Sequence, residues 1–144
     1  MSRKIDFSNL ISADDLVNLA PAFKLGTVRD WLFHRKTNML SSAVLKIDDN
    51  VWIDIDLFNI WLSIDKDVVS DFRNLRTKEQ LLEACHIKAS KLEDWLRKRD
   101  WNGLEEAVIK KGEKRIYIDI HKFNRWLLEQ NQNPDFGATM PSAS

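Results

Sequence analysis

Ile53-Asp54-Ile55-Asp56-Leu57-Phe58-Asn59-Ile60-Trp61-Leu62 recurs 65 residues later as Ile118-Asp119-Ile120-His121-Lys122-Phe123-Asn124-Arg125-Trp126-Leu127. Outward from this stretch, Asp30-Trp31-Leu32, Asn38-Met39-Leu40 and Ala43-Val44-Leu45-Lys46 return as Asp94-Trp95-Leu96, Asn102-Gly103-Leu104 and Ala107-Val108-Ile109-Lys110, at an offset of 64. The added residue lies where Asp48-Asp49-Asn50 faces Gly112-Glu113-Lys114-Arg115. Further upstream, Ser12-Ala13-Asp14-Asp15-Leu16-Val17 matches Thr77-Lys78-Glu79-Gln80-Leu81-Leu82, again at 65. Both length changes fall where turns are expected, which is where chains tolerate them. Every apolar anchor stays in phase, so the chain reads as one unit used twice.

One unit can be read physically from its start. Ser12 and Thr77 are N-cap residues with Asp15 and Gln80 three places on, a capping-box spacing. A short first helix carries Leu16, Val17 and Ala20, or Leu81, Leu82 and Cys85. A turn follows, and a second helix is predicted over 27–36 and over 91–100, burying Val28, Trp31 and Leu32, or Leu92, Trp95 and Leu96, at helical spacing. Two β-prone runs around a polar turn then predict a hairpin. Asp54 and Asp119 are placed to cap a third helix whose apolar side is Leu57, Phe58, Trp61 and Leu62, or Ile120, Phe123, Trp126 and Leu127. Helix, turn, helix, two-stranded wing, helix is the order of a winged helix-turn-helix. The expected fold is α+β, mainly α: module 1 over 9–63, a connector over 64–75, module 2 over 76–130 and a disordered polar tail over 131–144. Ile64, Val68, Val69, Phe72 and Leu75 are apolar at near-helical spacing, so the connector is expected to be a packed helix.

Composition bounds the function. The chain has 144 residues, with 22 basic against 22 acidic, one cysteine, 4 Gly and 3 Pro. A single cysteine, Cys85, staples nothing internally and suits a reducing compartment. With no charged-then-apolar leader and no run of the roughly 18 apolar residues a membrane helix requires, a cytoplasmic protein without membrane contact is expected. The zero net charge hides an asymmetry: residues 9–66 hold six basic and eight acidic side chains, and residues 76–129 hold thirteen and ten. The second copy is therefore better suited to a polyanion.

Thr27-Val28-Arg29-Asp30-Trp31-Leu32, a wing, then Trp52-Ile53-Asp54 leading into Phe58 and Trp61-Leu62, resembles phage excisionases and the related mercury-resistance-regulator winged helices. The second copy resembles them from Ser90-Lys91-Leu92-Glu93-Asp94-Trp95-Leu96 through Arg115-Ile116-Tyr117-Ile118-Asp119 to Trp126-Leu127. The resemblance implies a DNA-binding protein of a phage or integrative element, acting in recombination directionality or transcriptional control. It implies that helix two enters the major groove and the wing touches a neighbouring groove or the backbone. Tandem half-sites on double-stranded DNA, and an integrase or another DNA-bound protein, are the partners it suggests. Two departures stand out. Arg29 is followed by Asp30, and the second copy has Glu93-Asp94, where the family often carries consecutive basic residues; and the module occurs twice.

The candidate contacts follow from charge. Thr27, Arg29 and Lys91 stand at the start of helix two, where readout residues lie. Arg97, Lys98 and Arg99 form the strongest phosphate candidate, and His34, Arg35 and Lys36 a weaker counterpart. The second wing carries Lys110, Lys111, Lys114 and Arg115, whereas the first keeps only Lys46 beside Asp48 and Asp49. The bland reading is a solvated helix end with cations well placed at its C-terminus and an edge kept soluble by lysine. Asp30 and Asp94 are expected to pair with a nearby cation rather than with a base. The paired tryptophans are core; Trp101, opposite Thr37, has no structural twin. No catalytic constellation, metal-ligand spacing or Gly-rich phosphate loop is present in the sequence, so neither an enzyme nor a cofactor is expected. The rival expectation is a protein-interaction adaptor on modules that have lost DNA binding.

Overall fold

The computed structural model describes residues 7–112 and 115–132. Arg3, Lys4, Lys114 and residues 133–144 of the predicted tail lie outside the described residues. The chain divides between Arg73 and Asn74 into two compact units. The first contains β1 (Leu10–Ile11), α1 (Ala13–Leu19), α2 (Leu25–Phe33), α3 (Arg35–Asn38), β2 (Val44–Ile47), β3 (Asn50–Asp54) and α4 (Ile55–Leu62). The second contains β4 (Leu75–Arg76), α5 (Lys78–Ala84), α6 (Ala89–Arg97), α7 (Arg99–Asn102), β5 (Val108–Lys111), β6 (Arg115–Asp119) and α8 (Ile120–Asn131). The fold is α+β and mainly helical. Each unit has one antiparallel three-stranded sheet, ordered β1-β3-β2 and β4-β6-β5.

The helix starts follow from capping chemistry. Ser12 Oγ accepts from Asp15 N at 3.1 Å. Thr77 and Gln80 form the full reciprocal box, at 3.2 Å and 3.0 Å. Asp54 Oδ1 accepts from Leu57 N at 3.0 Å, and Asp119 Oδ1 from His121 N and Lys122 N at 2.9 Å and 3.1 Å. The duplicated aspartates are thus buried helix caps, each contributing about 1 kcal/mol by the usual measure of an N-cap.

Helix two is shorter than the apolar pattern predicts and starts two residues earlier. It ends at Phe33 in the first unit and Arg97 in the second, and the chain restarts as the one-turn helices α3 and α7. The break is held by a duplicated asparagine. Asn38 Nδ2 donates to Trp31 O at 3.0 Å and its Oδ1 accepts from Leu40 N at 2.9 Å. Asn102 repeats both bonds, to Trp95 O at 3.1 Å and from Leu104 N at 2.9 Å. The asparagine backbone carbonyl accepts an indole N–H from the third helix: Trp61 at 2.8 Å, Trp126 at 2.7 Å. The rings complete the joint, Trp31 edge-on to Trp61 at 5.4 Å and Trp95 edge-on to Trp126 at 5.3 Å. Such polar handles are what let a large indole be buried.

Around this joint each unit packs its own core. The first is aromatic, with Phe23, Trp31, Phe58, Trp61 and Phe72 in mutual ring contact. The second is mostly aliphatic about Trp95, Phe123 and Trp126, with Leu81, Leu92, Leu96, Leu104, Val108 and Ile118.

The predicted connector helix is absent. Residues 63–71 form turns and bends, followed by a short 3-10 turn at Phe72–Asn74. Polar side chains of α4 capture this segment: Ser63 Oγ accepts from Ser70 N, and Asn59 Oδ1 from Phe72 N, both at 2.8 Å. Phe72 therefore enters the aromatic core of the first unit, while Ile64, Val68 and Val69 stay exposed. Leu75, placed in the connector by sequence, and Arg76, the first residue of the predicted second module, form β4, paired with Asp119 and Ile118. The two-residue strands β1 and β4 are too short to show alternation.

The hairpins explain the inserted residue. Ile47 pairs with Asn50, a two-residue turn with Asp48 at φ 55°. Lys111 pairs with Arg115, one residue longer, with Gly112 at φ 80°.

The αL position after α3 and α7 makes an internal test. It is Gly103 in the second unit (φ 85°) but Met39 in the first (φ 72°), with its side chain 67% exposed. A non-glycine αL residue costs roughly 1–2 kcal/mol, partly offset by the extra chain entropy glycine brings. Met39→Gly should raise stability by a few tenths to about 1 kcal/mol, and Gly103→Ala should lower it by about 1 kcal/mol. Asn102→Ala, which orphans Trp95 O and Leu104 N, should cost about 1–3 kcal/mol. Urea unfolding of the three variants checks all three signs.

Candidate nucleic-acid interface

At the start of helix two both units place a lysine in the N-cap position, Lys24 before α2 and Lys88 before α6, with no side-chain cap hydrogen bond. A cation there opposes the helix dipole. Both are exposed, and sequence reasoning passed over them because it began helix two later; their shared phase in the repeat was the available signal. Thr27 and Lys91 are half-buried in the first turns. Lys88 and Lys91 make no ion pair with any described residue. Arg29 is exposed and lies 3.7 Å from Asp14 Oδ1, a pair so open to solvent that it holds little. Glu93, which faces the same end of α6, is engaged by Lys78 at 2.8 Å.

The cationic cluster at the end of helix two has a different status. Arg35 Nη1 donates to Leu32 O at 2.8 Å, and Arg99 Nη1 to Leu96 O at 2.8 Å, so both arginines close the last turn of a helix. Arg99 also donates from Nε to Glu105 Oε2 at 2.6 Å and is only 23% exposed. Arg97 Nη2 lies 2.5 Å from Asp94 Oδ1, and Lys98 Nζ 3.4 Å from Asp94 Oδ2. The hydrogen bond from Arg97 above all holds the Asp94 carboxyl below the usual carboxylate range, against an opposing effect of burial and with lesser help from Lys98. His34 Nδ1 lies 3.0 Å from Asp30 O and 3.4 Å from Asp30 Oδ1. Lys36 is exposed in α3. Of the three consecutive cations expected to meet phosphate, Arg99 is thus a structural brace, and Arg97 and Lys98 share an internal counter-ion.

The hairpin of the second unit also carries several cations. Lys110 is exposed and makes no ion pair with a described residue. Lys111 and Arg115 are direct cross-strand neighbours; both are half-buried, and each has a further interaction of its own. The first unit has Ile47 opposite Asn50, with Asp48 and Asp49 in the turn. Two aromatics are also open to solvent: Phe33, the last residue of α2, is 81% exposed, and Trp101, within α7, is 89% exposed.

No family model, curated protein or solved structure matches this chain. Among the described residues no helix is long and apolar enough to cross a membrane.

The two arginines of the cluster should separate in a stability measurement. Arg99→Ala, which removes the guanidinium bonds to Leu96 O and Glu105 Oε2, should lower stability by about 1–2 kcal/mol, whereas Arg97→Ala should change it by less than about 0.5 kcal/mol. Thermal melts followed by circular dichroism decide; equal losses would remove the distinction.

Proposed function

We propose that this chain is a DNA-binding protein of two winged helix-turn-helix units, of the excisionase-like or transcription-regulating kind carried by phages and integrative elements. The order of elements supports it: α1 and α2, then the β2–β3 hairpin and α4, correspond to helix, recognition helix, wing and third helix, and the second unit repeats them. The observation that carries it is the second wing, where Lys110 is exposed and makes no ion pair with a described residue, with Lys111 and Arg115 on the same paired strands. Together with Lys88 and Lys91 at the head of α6, these residues supply the cations on which phosphate affinity depends. Arg29 and Lys36 are the corresponding resource of the first unit, whose acidic wing repels a phosphate backbone. Covalent linkage of two modules raises the effective concentration of the second, so weak contacts by the first still add to affinity. The reading places the protein in the cytoplasm, without chemistry or a cofactor of its own, in company with an integrase or another DNA-bound protein.

One observation favours a second reading, a protein-interaction adaptor: Phe33 and Trp101 are exposed while four neighbouring cations already have internal partners.

Fluorescence anisotropy with a labelled random-sequence duplex, titrated from about 50 to 200 mM salt, distinguishes the two. Wild-type protein should bind at low salt. Lys110→Ala with Arg115→Ala should weaken binding and flatten the slope of log K against log salt by about 2. Lys46→Ala should leave both unchanged. Absence of binding by the wild type at the lowest salt would overturn the DNA reading in favour of the adaptor.

A further inference from the structure

Asp94 engages two of the candidate phosphate contacts at once. Its two oxygens are divided between them, Oδ1 to Arg97 at 2.5 Å and Oδ2 to Lys98 at 3.4 Å. The cations are the more open partners: the Arg97 and Lys98 side chains are 72% and 56% exposed, against 33% for Asp94. Exposed pairs of this kind are weak and readily exchanged. A cation already neutralised by a carboxylate holds fewer counter-ions to release, and so contributes less to polyanion affinity. The first unit keeps the acid as Asp30, but Arg97 and Lys98 are replaced there by Phe33 and His34. The first unit therefore has no pair of permanent cations at the two positions that Asp94 engages in the second.

We propose that Asp94 is an internal stand-in for phosphate that holds Arg97 and Lys98 in reserve and so attenuates the second unit's affinity for the DNA backbone. The proposal rests on the DNA-binding reading above. Asp94 acts through the two cations and is in that sense a positioning residue. When a duplex meets this helix end, a phosphate oxygen displaces the carboxylate from one or both side chains. Part of the electrostatic gain is then spent on breaking the internal pairs, which keeps binding to arbitrary duplex weak.

Asp94→Asn tests this in the full chain, against Asp100→Asn as control. Asp100 lies six residues on, is exposed, and makes no ion pair with a described residue. Both variants change the net charge equally, but only the first releases cations. By anisotropy with the random duplex, Asp94→Asn should bind about three- to tenfold tighter than Asp100→Asn at about 50 mM salt, with a slope steeper by about 1–2. Adding Arg97→Ala and Lys98→Ala to Asp94→Asn should abolish the gain. Should the amide disturb α6 by circular dichroism, Asp94→Ser gives the same comparison. Equal affinities for the two asparagine variants, or weaker binding by Asp94→Asn, would overturn the attenuator while leaving DNA binding intact. If neither the wild type nor Asp94→Asn binds duplex at the lowest salt, the DNA reading fails and the attenuator falls with it.

Discussion

The bond from a third-helix indole to the backbone carbonyl of an asparagine, with that asparagine's amide spanning the end of helix two, is the joint on which each unit depends. Helix two stops where side chains bond to its last carbonyls. Asn38 or Asn102 takes one of them, at Trp31 or Trp95, and Arg35 or Arg99 takes the next, at Leu32 or Leu96. The turn this creates sends the chain into its hairpin. Trp61 or Trp126 then ties the returning helix to the same residue. A buried indole needs an acceptor, and a broken helix needs donors; one asparagine meets both requirements.

That joint also governs where charge can go. Closing the helix end consumes one arginine in each unit, and Arg99 takes Glu105 with it. What remains at the end of α6 is Arg97 and Lys98, and a carboxylate three and four residues earlier is within reach of both. Lys88 and Lys91 at the head of the helix, and Lys110 on the hairpin, make no ion pair with a described residue. Placement rather than number therefore separates cations that maintain the fold from those not tied into it, and near-neutral net charge is compatible with a locally basic surface.

Much of the scaffold was legible in the sequence because it occurs twice. Trp31 with Trp95, Trp61 with Trp126 and Asp54 with Asp119 kept phase through two length changes, and the structure uses each pair in the same way: ring contact, indole donor, helix cap. The repeated asparagine was visible too, but its role depends on side-chain hydrogen bonds that periodicity does not report. The connector misled for a physical reason. Apolar residues at near-helical spacing can also line a turn, and Ser63 and Asn59 supplied the hydrogen bonds that made the turn preferable. Charge was the least legible property. A run such as Arg97-Lys98-Arg99 reads as one cluster, while in three dimensions its members face a carboxylate, share that carboxylate, and close a helix.

The two units serve as controls for one another, because a shared scaffold isolates what differs. Their joints, caps and strand registers match, so stability does not require the hairpin tips to differ. Yet the tips differ most, in length and in charge: a two-residue acidic turn in one, and a longer turn flanked by Lys111 and Arg115 in the other. A difference confined to the tips, in a scaffold that is otherwise repeated, marks the hairpins as the part of each unit that the shared joint leaves free to vary.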